Sequence, residues 1–164
     1  MFNTINKILS ICLLILVMSC AGSSSGERPG DYSYMANIGP VTDYDYEERT
    51  RLSLDKYQYQ VERSENYGDR KYLETMWKIR SPLEDEAELG ITQVKTRLVL
   101  NVTPRTRVIG PTRLFKVQFR GEVMVQFTGI EQWQQIKMTP MRKKYFKKWA
   151  NELKTEYSSG MRRY

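Results

Sequence analysis

Histidine occurs nowhere in the 164 residues. Without an imidazole, the Ser-His-Asp and Cys-His routes to an activated nucleophile are closed. Glycine-rich phosphate cradles are missing as well. The sequence contains no GxxxxGK[ST] and no GxGxxG, so neither a P-loop nor a dinucleotide fingerprint is present. The acidic run EDEAE at 84–88 lacks the D-x-D-x-D-G alternation of a calcium loop and reads as a solvated loop. No internal repeat recurs at a period of about 20–50 residues, which argues against a solenoid or propeller. Long apolar runs are also scarce. The stretch ILSICLLILVM at 8–18 has eleven residues, whereas a membrane-spanning helix needs about 20.

That short run follows a polar start whose one charged side chain is Lys7. Its length suits the apolar centre of a secretory signal, about 7–15 residues. Val17, Met18, Ser19 and Cys20 follow, an aliphatic, a tolerant, a small residue and then cysteine. Here the chain resembles the bacterial lipoprotein family. The resemblance implies cleavage before Cys20 and attachment of lipid to its sulfur and amine. It divides the chain into a signal peptide over 1–19, a lipidated N-terminus with a flexible tether over 20–43, and one domain over 44–164. The Gly-, Ser- and Pro-rich AGSSSGERPGD after Cys20 suits a solvated spacer. An ordinary secretory signal and an uncleaved short anchor are the alternatives. The resemblance also implies a place in the cell envelope. Ala21 rather than Asp after the cysteine implies the outer membrane, facing the periplasm. With Cys12 removed and Cys20 lipidated, the mature chain would hold no disulfide and no thiolate zinc site. No cofactor or metal is expected.

Charge is distributed unevenly. Residues 20–130 carry 16 Lys/Arg and 16 Asp/Glu, while residues 131–164 carry 9 Lys/Arg and only 3 Asp/Glu. The positive excess therefore sits in the last segment. In an exported protein this favours an anionic lipid, lipopolysaccharide or an acidic envelope protein as partner, and no nucleic acid.

Periodicity supplies the elements. DYDYEERTRLSLDK predicts a short helix near 44–55, its front acidic residues suiting a helix N-terminus. YQYQVE predicts a strand near 57–64. RKYLETMWKIR places Leu73, Thr75, Trp77 and Ile79 on one strand face and Glu74, Lys78 and Arg80 on the other. TQVKTRLVLNV gives the clearest strand, with Val94, Thr96, Leu98, Leu100 and Val102 inward. LFKVQFRGEVMVQF keeps one parity from Phe115 to Phe127 and predicts one long strand bent at Gly121. Thr139 and Pro140 open a final helix as cap and first residue. Met141, Tyr145, Trp149, Leu153 and Tyr157 form its apolar stripe, and Gly160 its C-cap. The expectation is an α+β domain, α-β-β-β-β-α, with helices on one face of a four-stranded antiparallel sheet. In element order and lipid anchor it is similar to small envelope lipoproteins of the lipopolysaccharide-assembly and outer-membrane-protein-assembly families.

Two surfaces stand out. Lys143, Lys144, Lys147 and Lys148 lie off the apolar stripe of the last helix and are the expected partner-binding residues. We read the stripe as docked on the sheet with these lysines in solvent. The alternative is a basic amphipathic helix lying on an anionic membrane. The second surface is the outward row Lys95, Arg97, Lys116, Gln118, Arg120 and Glu122, which reads as a solvated sheet face with cross-strand ion pairs. Glu74, Glu84, Asp85, Glu86 and Glu122 could in principle serve a two-carboxylate hydrolase. No spacing selects a pair of them, so no catalytic residue is assigned and a binding role in envelope assembly or maintenance is expected rather than an enzyme.

Overall fold

The computed structural model describes residues 32–105 and 113–161. The expected signal peptide, Cys20 and the first part of the tether lie outside the described residues. The second part of that tether is not a spacer. Ser33–Val41 forms a strand, β1, whose Tyr34, Ala36, Ile38 and Val41 join or pack against the core. A register shift between Asn37 and Pro40, where Gly39 takes φ 95, restores inward parity at Val41.

Helix α1, Asp43–Tyr57, starts at Thr42, whose Oγ1 accepts the Asp45 N–H at 3.1 Å. Asp43 and Asp45 occupy the first turn. Gln58 ends the helix in the left-handed conformation, φ 57. The expected strand at 57–64 therefore begins later, as β2, Val61–Asn66. Tyr57 and Gln58 close the helix instead, and Tyr59 drops into the core.

The expected single strand over 71–80 is broken. β3, Lys71–Thr75, and β4, Lys78–Arg80, both pair with β5, Ile91–Pro104. Between them Met76 leaves the ladder and donates its N–H to the Gln60 carbonyl at 2.9 Å. The interruption reverses parity, because a one-residue slip moves every later side chain to the other face. Ile79 is consequently exposed, while Lys78 bonds the Tyr57 carbonyl of α1. The strand β6, Phe115–Phe127, runs unbroken through Gly121 as its parity predicts and pairs with both β5 and β1. The sheet is antiparallel, in order β1-β6-β5-β3-β2 with β4 also on β5. It has six strands rather than the expected four: β1 lies within the expected tether, and one expected strand divides in two.

The acidic run contains one helical turn, α2, Glu84–Ala87. It is not wholly solvated, because Glu86 is buried. Its carboxylate accepts Arg142 Nε and Nη2 at 3.0 Å each, Arg80 Nη2 at 2.7 Å and the Leu83 N–H at 2.7 Å.

Helix α3, Pro140–Met161, begins at Thr139 as expected, whose hydroxyl accepts the Arg142 N–H. It does not stop at Gly160. A Cβ there would lie 2.2 Å from Asp45 Oδ1, so this glycine lets the last turn pass close to the start of α1. The buried stripe is Arg142, Phe146, Trp149, Ala150, Leu153 and Tyr157. Met141 is exposed and Tyr145 only partly buried. Residues four apart drift by about 40° per step on a helix of 3.6 residues per turn, so a stripe built only on that spacing winds away from the sheet at its first member. Both long helices lie on the same sheet face: Trp149 meets Phe119 and Tyr59, and Lys71 of β3 reaches Asp43 and Glu47 of α1.

Removing the charge of Glu86 would leave the buried Arg142 guanidinium, and the half-buried Arg80 beside it, without their counter-charge. We expect Glu86→Gln to destabilise the domain by about 3–5 kcal/mol, the usual cost of breaking a buried ion pair from one side. Urea denaturation measures it. A loss below about 1 kcal/mol, the scale of an exposed ion pair, would mean that the triad is solvated.

Candidate functional site

The rotation of α3 decides which residues it offers. Trp149 stacks on Tyr57 with ring centroids 4.4 Å apart, leans on Tyr59 at 4.9 Å and meets Phe119 edge-on at 5.5 Å. Its Nε1 donates to Ser53 Oγ at 2.8 Å. Further along, Thr50 and Tyr157 share a buried hydroxyl–hydroxyl bond of 2.7 Å. Contacts that advance along α1 retreat along α3, so the helices are antiparallel. With that face occupied, Lys143, Lys144, Lys147 and Lys148 are all exposed.

Between the two helices runs a groove of about 620 Å³, within the range of ligand-binding clefts. Lys144, Lys147 and Lys148 line one wall; Arg49, Leu52 and Lys56 line the other. The structure thus brings together three of the four expected lysines and leaves Lys143 outside. Glu152 and Glu156 also line the groove. Lys56 Nζ lies 2.8 Å from Glu152, and Arg49 Nη1 lies 3.7 Å from Glu156. The Tyr57 hydroxyl donates to Glu152 at 2.9 Å. The Lys56 hydrogen bond, aided by that of Tyr57 and the charges of Lys56 and Lys148, holds the Glu152 carboxyl below the usual carboxylate range. Burial and the bond to Glu152 together push the Tyr57 hydroxyl up. Among the described residues, Lys144, Lys147 and Lys148 take part in no ion pair.

Arg49, Leu52 and Lys56 escaped the sequence reading. Their spacing of three and then four carried the signal: it marks one face of α1 beside the buried Tyr46, Thr50 and Leu54. A second cleft, about 490 Å³, lies on the other side of α1 against β2 and β3, with Tyr46, Leu54, Tyr59 and Leu73 in its walls.

The opposite face of the sheet matches the lattice of cross-strand pairs read from its outward row. Arg97 bridges Glu74 and Glu122, and Arg120 lies 2.9 Å from Glu122. The parity reversal after β3 brings Trp77 to this face. Arg97 lies over its ring at 4.5 Å, and Lys95 sits between Trp77 and Trp133 at 5.1 and 4.5 Å. Lys116 and Gln118 are exposed. Of the remaining carboxylates, two are committed in structural roles and one is exposed. Glu86 lies in the buried triad, Asp85 accepts the Met141 N–H at 2.9 Å, and Glu84 is exposed. None of these lines the groove. Among the described residues no acidic cluster is placed to hold a metal ion, and no helix is long and apolar enough to cross a membrane.

Burial raises the hydroxyl pKa of Tyr46, Tyr59 and Tyr157. An unfolded tyrosine ionises near pH 10, so the unfolded state releases these protons first as pH climbs. Their contribution to stability is whole below pH ~10 and is lost above it. In a spectrophotometric titration Tyr46, Tyr57, Tyr59 and Tyr157 should ionise only as the fold opens. Ionisation of all eleven tyrosines near pH 10 with the fold intact would contradict the packing around α1 and α3.

Compared with known protein families and with curated proteins, the chain matches no family model and no relative, so the functional reading rests on its own residues.

Proposed function

We propose that this chain is a lipid-anchored protein of the bacterial cell envelope that acts by binding, as an accessory in outer-membrane assembly or maintenance. The anchor is Cys20, on the strength of the signal-like N-terminus. The binding surface is the lysine face of α3, with an acidic envelope protein, anionic lipid or lipopolysaccharide as partner. One observation carries the binding reading. The apolar face of α3 is consumed by the core, with Phe146 and Trp149 both at 0% exposure, so the exposed lysines are held as a fixed positive strip.

The same observation speaks against a helix lying in a membrane surface, since such a helix needs its apolar face for the bilayer. A carboxylate hydrolase is disfavoured on different grounds. Glu74 and Glu122 share Arg97, and Glu86 faces two guanidinium groups. General acid–base work needs carboxyl oxygens free to reach a substrate, and those of these residues are taken up by guanidinium groups.

Changing Lys143, Lys144, Lys147 and Lys148 together to Gln tests the surface. The midpoint of thermal unfolding should stay within about 2 °C, as for exposed substitutions away from structural features. Envelope integrity, read as sensitivity to detergent and bile salts in a cell lacking the wild-type protein, should fall. Full complementation by this variant would sink the binding strip. Mass spectrometry of the mature N-terminus tests the anchor, and an unmodified peptide running through Cys20 would refute it.

A further inference from the structure

We propose that the groove between α1 and α3 seats an acidic amphipathic helix of a partner protein. This rests on the binding reading above and names the partner's chemistry. Three observations converge on it. The first is shape. Two antiparallel helices leave a groove into which the side-chain ridge of a third can pack, whereas a bilayer surface is flat and cannot enter it. The second is the arrangement of charge. On the α1 wall, Lys56 and Arg49 are taken up by Glu152 and Glu156. On the α3 wall, Lys144, Lys147 and Lys148 make no ion pair among the described residues, and Lys147 and Lys148, three and four residues after Lys144, share one helix face with it. A row of carboxylates at matching spacing answers these lysines, and the five cations of the groove, Arg49, Lys56, Lys144, Lys147 and Lys148, outnumber its carboxylates Glu152 and Glu156. The third is Leu52. It lies midway between Arg49 and Lys56 on the α1 wall and is 45% exposed, an apolar anchor for a leucine or similar residue beside the acidic row. The groove thus has one basic wall and one wall with an apolar centre, the complement of a helix with adjacent acidic and apolar stripes.

The test uses residues 32–164, after circular dichroism has shown them folded, or the full chain in detergent if they are not. The probe is a synthetic helical peptide of about 15 residues, with glutamates at i and i+4 on one stripe, leucines on the next and alanine elsewhere. On ¹⁵N-labelled protein the peptide should give saturable amide shifts confined to 49–56 and 144–156. Lys144→Glu with Lys148→Glu should weaken binding at least about tenfold, equivalent to 1.4 kcal/mol. Lys116→Gln, exposed on the opposite face of the sheet, should leave binding unchanged. Leu52→Ala and loss of the peptide's central leucine should be non-additive, as for residues in contact. Absence of saturable shifts at about 1 mM peptide, a level that detects even −4 kcal/mol of binding, would overturn the inference. So would additive leucine effects, or equal weakening by Lys116→Gln. Vesicles of phosphatidylglycerol and phosphatidylcholine in equal parts form the second arm. If they shift the same groove amides while the peptide does not, the partner is a membrane and the groove assignment fails. The two proposals fail separately. A groove that takes the peptide in a protein whose quadruple lysine variant complements fully keeps this inference and removes the envelope role. A variant that fails to complement, in a protein that ignores the peptide, does the reverse.

Discussion

The close approach of α3 to the sheet at Gly121 governs this structure. A Cβ at Gly121 would lie 2.4 Å from the Phe146 ring, well inside van der Waals contact, so this strand position admits the ring only because it has no side chain. Gly121 sits mid-sheet, opposite Leu98 of β5 and Tyr34 of β1. Phe146 lies at its crossing point, flanked by Tyr34 and Phe119 at about 6 Å. Once the helix is seated there, Trp149 and Tyr157 follow on the same face, and α1 packs alongside through Ser53, Thr50 and Tyr57. The lysines have nowhere to go but outward. Sequence, packing and exposed charge are thus links of one chain, with the contact at Gly121 as its first.

The buried charges act at the end of α3 where aromatic packing gives out. Arg142 occupies the first inward position of the helix, where the stripe would otherwise place an apolar residue. Glu86 and Arg80 meet it from α2 and β4. Such a cluster is costly to desolvate and specific in geometry. It ties three separate parts of the chain to one position, and it makes sense of the parity reversal after β3. Had β3 and β4 formed one continuous strand, Arg80 would face the other side of the sheet and the triad could not form. Trp77 would then be in the core rather than over Arg97 and Lys95.

How far these features could be read from sequence varies with their cause. β5, β6 and α3 were legible because each is long and strongly periodic, so local pattern and tertiary burial agree. β1 was not. Its residues fall in a Gly- and Ser-led segment, its alternation is interrupted at Gly39 and Pro40, and its burial comes from β6 and α3 rather than from its own composition. The break at Met76 was equally hidden, since a parity slip leaves no composition signal and is driven by where Arg80 and Trp77 find partners. Glu86 looked like its exposed neighbours because burial of a carboxylate depends on two arginines distant in the chain. The groove was half legible. The lysines of α3 announced themselves by charge, while Arg49, Leu52 and Lys56 gain meaning only when α1 is laid antiparallel to α3.

In the proposed reading the last helix is a shared element, its inner face structural and its outer face for recognition. That division predicts a particular dynamic signature. Amides in the core of α3 open only with the whole domain, whatever meets the lysines. Amide hydrogen exchange across 146–153, measured with and without anionic vesicles, tests it most directly. The account predicts exchange at the rate of global unfolding in both conditions. Fast exchange in free protein that slows when vesicles are added would show a helix that folds on the membrane, and would contradict it.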